Sequence, residues 1–100
     1  MTNCILAGIA GAAFLITSGA IAYSGQQMEK NAKISMQQAS HLALKARPGK
    51  ITDRELEKEK GGSGLRYSFD IKSRGKTYEI GVDAVTGKVL ENDLEGKNPD

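Results

Sequence analysis

The sequence predicts an α+β fold in which one amphipathic helix packs on one face of a three- or four-stranded antiparallel sheet, preceded by an apolar segment. Two changes of periodicity indicate this fold. Residues 34–46 place apolar side chains at helical spacing, whereas residues 65–71 and 77–84 alternate apolar and polar side chains as half-exposed strands do. No charged residue precedes Glu29, so the 100 residues divide into an apolar part and a charged part that has room for one domain.

The apolar segment, "CILAGIAGAAFLITSGAIAY" from Cys4 to Tyr23, contains no charged residue. As a helix it would be ~30 Å long, which is enough to cross a bilayer core. Residues 1–23 are therefore either a signal peptide cleaved near Ala22 or a retained transmembrane anchor, and both interpretations remain open. In either case we expect an exported protein, periplasmic or otherwise extracytoplasmic, that is released after cleavage or anchored in the inner membrane through residues 4–23.

A short helix is predicted after a polar linker at residues 24–33. Ser35 and Gln38 have the spacing of a capping box, which satisfies free amides at a helix start. Pro48 and Gly49 end the helix, because proline disfavours helical conformation in the residue before it. The face predicted to pack on the sheet consists of small and apolar side chains: Ala39, Leu42, Ala43 and Ala46.

Strict alternation defines two central strands. The inward side chains are predicted to be Leu65, Tyr67, Phe69 and Ile71 in the first strand, and Tyr78, Ile80, Val82 and Ala84 in the second. Thr77, Glu79, Gly81 and Asp83 should then face water. Ser73–Lys76 forms a tight hairpin and residues 88–93 form a returning strand. Residues 51–60 fit a solvated helix or an edge strand, and charged side chains favour the edge strand; residues 94–100 are predicted to be a flexible tail.

The stretch "VDAVTGKVL" has the residues of a hairpin turn. The Asp83 carboxylate can accept hydrogen bonds from the backbone of its own turn, and Gly87 can adopt the positive φ that closes it. The turn carries no catalytic chemistry, and its residues alone leave open whether it has a further role.

Composition excludes several classes of function. A net charge of +2 and a pI near 8.7 argue against a nucleic-acid-binding surface. Cys4 is the single cysteine and His41 the single histidine, and His41 lies opposite the apolar helix face, so a metal site of Cys and His ligands is not expected. We therefore expect no enzyme activity and no catalytic, cofactor-binding or metal-binding residues.

Two motifs stand in order along the charged part of the chain: "PGK" followed by "EL", and then "YEIGVDAVTGKVL". On these motifs the chain resembles, from about residue 34 to residue 93, a PepSY domain, a module of thermolysin-type peptidase propeptides and of other exported or membrane-anchored bacterial proteins. The resemblance implies fold-forming roles and no catalytic role for the matched residues: Pro48, Gly49, Tyr78, Asp83, Ala84, Thr86 and Gly87.

The resemblance implies a non-catalytic module that binds or restrains a partner protein of the cell envelope, with a peptidase as one candidate. No peptidase domain follows the module in this sequence, so binding is expected in trans. The alternative is a structural, membrane-associated accessory whose association is carried by the apolar segment. In the first case the sheet edge at residues 51–60 or at residues 88–93 would accept an extended peptide.

Overall fold

Four antiparallel strands form one sheet in chain order, and one α-helix covers one of its faces. The computed structural model describes residues 22–96; the apolar segment up to residue 21 and residues 97–100 lie outside them, as do the predictions made for those parts. The elements are a 3₁₀ helix (Gln26–Asn31), α1 (Met36–Ala46), β1 (Lys50–Lys58), β2 (Leu65–Ser73), β3 (Lys76–Asp83) and β4 (Val89–Leu94). The predicted fold class is confirmed for the helix and the sheet, which has four strands.

Helix α1 begins at the predicted capping box. The Gln38 amide donates to the Ser35 hydroxyl at 3.1 Å, and the Ser35 amide donates to the Gln38 side-chain oxygen at 2.9 Å. The helix ends at Ala46, where Arg47 adopts an extended conformation before Pro48. Local sequence therefore sets both ends of the helix.

The core lies between α1 and the helix-facing side of the sheet. Its buried side chains are Met36, Ala39 and Ala43 from α1, Leu56 from β1, Tyr67, Phe69 and Ile71 from β2, Ile80 and Val82 from β3, and Ala84. The Tyr67 hydroxyl satisfies its hydrogen bond within this core by donating to the Ile34 carbonyl at 2.7 Å. Burial, followed by the nearby Glu29 charge, raises the pKa of Tyr67 to about 12.

Most of residues 51–60 lie in the edge strand β1 and not in a helix, as their charged side chains predicted. β1 pairs antiparallel with β2, and its Leu56 side chain is buried in the core. The register shifts between Ile51 and Asp53, which marks an irregularity near the start of the strand.

The prediction that Gly81 and Asp83 face water is wrong. Both residues are buried, although alternation places them on the side of the sheet away from α1. The loop Gly61–Gly64 lies over Asp83, and the Arg66 side chain lies over Gly81. Tertiary contacts therefore cover one end of a sheet face that the alternation alone predicts to be open.

The segment expected to be a linker holds the 3₁₀ helix. Tyr23, Met28 and Ala32 are half-buried and pack against the core, and the Leu56 amide donates to the Ser24 carbonyl at 2.8 Å. No helix among residues 22–96 is both long and apolar enough to span a bilayer.

Candidate functional site

The turn between β3 and β4 is organised by one buried carboxylate. Asp83 Oδ1 accepts from the amides of Val85 (2.8 Å) and Thr86 (3.0 Å), and Oδ2 accepts from the amide of Ser63 (2.6 Å). Burial by itself raises the pKa of Asp83, but the hydrogen bonds from Ser63, Thr86 and Val85 outweigh it and hold the pKa well below its usual range. Asp83 is therefore ionised, and its hydrogen bonds connect the turn to the loop Gly61–Gly64.

The same turn also connects α1 to the sheet. The Ala84 carbonyl accepts from the amides of Lys33 (2.9 Å) and Ile34 (3.2 Å), just before the helix, and the Ala84 amide donates to the Leu65 carbonyl at 2.8 Å. Gly87 has φ 80° and its amide donates to the Asp83 carbonyl at 2.9 Å. These contacts support an architectural role for the turn.

The end of α1 makes a second connection. The Arg47 guanidinium lies 3.8 Å above the centre of the Tyr78 ring, and its Nε donates to Asn92 Oδ1 on β4 at 3.2 Å. Pro48 is exposed, whereas a side chain on Gly49 would collide with the Lys72 carbonyl. Pro48 and Gly49 thus connect the helix to β1, and the backbone at Gly49 passes close to the Lys72 carbonyl.

The sheet face away from α1 carries a concentration of carboxylates, which we call the acidic face. Its acidic side chains come from all four strands and from the residue after β4: Asp53, Glu55, Glu57, Asp70, Glu79, Glu91, Asp93 and Glu95. In the ladder, Asp53 lies opposite Asp70, Asp70 opposite Glu79, and Glu79 opposite Asp93. Like charges directly opposite each other on a sheet repel.

The pKa values on the acidic face respond to this crowding. Partial burial raises the pKa of Asp70, and the charges of Glu95 and Asp53 raise it further. Burial and then Glu91 and Asp70 do the same for Glu79. These carboxylates are therefore less stable in the ionised form than isolated surface carboxylates.

Two basic side chains of β2, Arg66 and Lys72, lie on the acidic face by alternation, and Arg66 is the one that forms an ion pair within residues 22–96. The Arg66 side chain crosses Gly81, where its Nη1 lies 3.5 Å from Glu91 Oε1 and its Nη2 donates to the Lys60 carbonyl at 2.9 Å. This is the one ion pair among residues 22–96. Most of the carboxylate charge on the face is left without a partner in that part of the chain.

Three carboxylates on the acidic face come close to one another. Oxygens of Asp70, Glu79 and Glu95 lie within 4.8 Å, a group of hard ligands of the kind that Ca²⁺ prefers. Exposed acidic groups share this geometry without binding metal, so we assign no metal role to them.

The two edges of the sheet differ. At β1 the bond from the Leu56 amide to Ser24 occupies part of the edge, and Gly25 approaches so closely that a side chain would collide with the Leu56 carbonyl. At β4 no strand or bridge within residues 22–96 pairs with the outer side. The Glu95 amide donates inward to the Thr77 carbonyl at 2.9 Å, so alternation turns the amides of Asn92 and Leu94 outward.

A cleft of about 470 Å³ lies between the 3₁₀ helix, the start of α1 and β1. Tyr23, Glu29, Met36 and Arg54 line part of it. The Tyr23 hydroxyl donates to the Glu29 carboxylate at 2.6 Å, so two polar groups of the cleft are hydrogen-bonded to each other. Burial and this hydrogen bond raise the pKa of Tyr23.

Residues 33–93 match the family model described as the peptidase propeptide and YPEB domain. The chain belongs to the PepSY family. The match contains α1 and nearly the whole sheet, and the family named on the residues of the two motifs is confirmed. Comparison with curated proteins and with solved structures found no match to the chain.

The structure divides the seven predicted PepSY motif residues into two groups. Asp83, Ala84, Thr86 and Gly87 lie together in the β3–β4 turn, whereas Pro48, Gly49 and Tyr78 lie at the helix end and at the far end of β3. Sequence reasoning missed the acidic face. Its signal was present, because the acidic residues of β1 and of residues 91–95 occupy alternate positions, which places their side chains on one side of a strand.

Proposed function

We propose that this PepSY module is a non-catalytic protein-binding module that binds or restrains a partner protein in trans, with a peptidase of the cell envelope as the first candidate. PepSY domains are associated with peptidase propeptides, and the family description names that role. The observation that carries the proposal is the outer edge of β4, with which no strand or bridge of residues 22–96 pairs.

An unpaired edge strand can accept an extended segment through backbone hydrogen bonds. In β4 the outward amides of Asn92 and Leu94 are available for such pairing within the described part of the chain. β1 is less suited to it, because Ser24 already occupies the Leu56 amide. Of the two edges considered from sequence, β4 is therefore the proposed docking edge.

Catalysis would need acid, base or nucleophilic groups positioned in a site that excludes water. His41 is exposed on α1, and the carboxylates of the acidic face are exposed or half-buried. Binding through an edge needs neither an enclosed site nor a reactive group, so it suits this molecule better than an enzymatic role.

We further propose that the module lies outside the cytoplasmic membrane, because the apolar segment resembles a signal peptide or an anchor. A reporter fused after Asp100 should be active only outside the cytoplasm. A reporter active only in the cytoplasm would refute this location, and the mass of the mature N-terminus would distinguish cleavage near Ala22 from a retained anchor.

Photocrosslinking in the native host tests the binding function. Benzoylphenylalanine replaces Val89, an exposed position on β4, or His41, an exposed position on α1, in the full chain. We expect a discrete adduct with one envelope protein from position 89 and none from position 41. No adduct from position 89, or the same adducts from both positions, would instead favour the membrane-associated accessory.

A further inference from the structure

We propose that the segment bound at the β4 edge carries Lys or Arg at every second position, with apolar side chains between them. This inference rests on the proposed function and names the chemistry of the partner. Two independent features support it: an edge with outward amides, which selects an extended peptide, and a charged face beside that edge, which selects its side chains.

The two sides of β4 differ in chemistry. Glu91 and Asp93 face the acidic side, and Glu95 follows them there. The intervening Asn92 and Leu94 lie on the side of α1, where Asn92 bonds to the end of the helix; Val89 lies there too and is the one large apolar side chain exposed among residues 22–96. A strand added beside β4 would place alternate side chains next to these two surfaces.

The carboxylates of the acidic face repel one another, so a cationic partner would bind them favourably. Asp93 ends the row of directly opposed acids that runs through Glu79 and Asp70 to Asp53. The chain as a whole has a net charge of +2, so the acidity of this face is a matter of arrangement and not of composition. Basic side chains from an added strand would extend the row with the opposite charge.

Arg66 is an example, within the molecule, of a guanidinium that lies on the acidic face and forms an ion pair there. Its side chain lies flat over Gly81, and its Nη1 reaches Glu91 at 3.5 Å from a strand two positions away in the sheet. An arginine on a strand paired with β4 would approach the same β4 carboxylates from the other side, at the distance of one strand.

Charged side chains on an edge strand also discourage unwanted pairing. Preventing unwanted pairing and selecting a basic partner are two different roles, and they make opposite predictions for a basic peptide. Carboxylates that only prevent pairing would leave the edge without a bound peptide, whereas carboxylates that select a partner would bind a strand of complementary charge. A binding measurement with defined peptides therefore separates them.

The test uses the full chain in zwitterionic detergent and two ten-residue peptides of equal composition. One alternates Lys and Val, and the other holds five Lys followed by five Val. We expect the alternating peptide to bind more tightly and to shift the amide resonances of Asn92 and Leu94, and we expect its binding to weaken as salt is raised.

The double variant Asp93→Asn/Glu95→Gln should bind the alternating peptide roughly fivefold to tenfold more weakly. The matched control Asp53→Asn/Glu59→Gln, with the same charge change near the other edge, should bind nearly as the unmodified chain does.

Equal binding of both peptides, or an equal loss in both double variants, would reduce the effect to general electrostatics and overturn the inference. So would the absence of peptide binding, including the case in which Ca²⁺ alone shifts the amides around Asp70, Glu79 and Glu95. The proposed function fails separately, by the absence of an adduct from position 89. An adduct whose partner segment lacks alternating basic residues would overturn this inference and leave the proposed function standing.

Discussion

The Asp83 carboxylate accepts a hydrogen bond of 2.6 Å from the Ser63 amide, twenty residues earlier in the chain. The bond joins the loop Gly61–Gly64 to the β3–β4 turn, and the same carboxylate also holds Val85 and Thr86. One buried charge thus fixes two connections of the sheet. The turn motif of the family accordingly determines architecture well beyond its own hairpin.

Asp83→Asn should lower the free energy of unfolding by about 2–3 kcal/mol, because an amide keeps the size of the side chain but opposes a donor to the Ser63 amide. Urea unfolding of the full chain in detergent measures this. Asp93→Asn, at an exposed position, is the matched control and should stay within about 0.5 kcal/mol. Equal small effects of both substitutions would show that the buried hydrogen bonds of Asp83 contribute little.

Stability should pass through a maximum in mildly acidic solution. The pKa of Glu79 is raised above its usual 4.5, so protonation favours the folded state and stability increases as pH falls from 7 toward about 4.5. The pKa of Asp83 is lowered below its usual 3.8, so its contribution is present above that value and is lost as pH falls below it.

The two sides of that maximum can be assigned by substitution, with urea midpoints measured from pH 7 to pH 2.5. Asp70→Asn/Glu79→Gln should flatten the neutral side, and Asp83→Asn should flatten the acid side. A profile unchanged by both would mean that other groups govern the pH dependence.

Charge reversal should act in opposite directions at two positions that strand alternation places on the side of the sheet away from α1, Glu79 and Arg66. Glu79→Lys places a cation between Asp70 and Asp93 and should stabilise the fold by about 0.5–1 kcal/mol at low salt. Arg66→Glu removes the ion pair to Glu91 and the hydrogen bond to Lys60 from a side chain only 12% exposed, and should destabilise by about 2 kcal/mol. Thermal unfolding at low and at 0.5 M salt measures both, and the gain for Glu79→Lys should shrink in salt. Loss of stability in Glu79→Lys would contradict the repulsion described for the row.

Much of the fold follows from local chemistry that can be read in the sequence. The helix start depends on Ser35 and Gln38 alone, and the inward side chains of β2 and β3 follow from alternation. The burial of Asp83 does not follow, because it depends on a loop twenty residues away that folds over an outward position. The row of opposed carboxylates depends on the pairing register of β1 with β2, which are joined by a glycine loop and shifted by an irregularity near Ile51. The bond from the Leu56 amide to Ser24, which occupies part of the β1 edge, likewise requires tertiary structure, so the sequence alone does not distinguish the two edges as docking candidates.

The core assignment can be tested at Phe69, which is 2% exposed. Phe69→Ala should cost about 3–5 kcal/mol, because the cavity adds to the lost apolar burial. Phe69→Leu, which leaves a smaller cavity, should cost less than about 2 kcal/mol. An unchanged melting temperature in Phe69→Ala would place Phe69 on the other side of the sheet, one residue out of register.

Proline at Glu57 on β1 or at Glu91 on β4 is not a suitable test of edge binding, because neither backbone amide faces outward. The Leu56 amide faces outward to Ser24, so the Glu57 amide faces β2; the Glu91 amide faces β3 by the same alternation. Proline at either position would break a hydrogen bond of the sheet itself. Asn92 on β4 and Lys58 on β1 have amides that face outward.

Pairing of a partner protein with the outer edge of β4 is tested by comparing Asn92→Pro with Asn92→Ala in crosslinking from position 89. Both substitutions remove the side-chain bonds to Arg47 and to the Ala46 carbonyl, but only proline removes the outward amide. Lys58→Pro makes the same change on β1, and circular dichroism confirms that each variant is folded. We expect Asn92→Ala and Lys58→Pro to keep the adduct and Asn92→Pro to lose it. A folded Asn92→Pro variant with an undiminished adduct would contradict the claim that the β4 edge binds the partner.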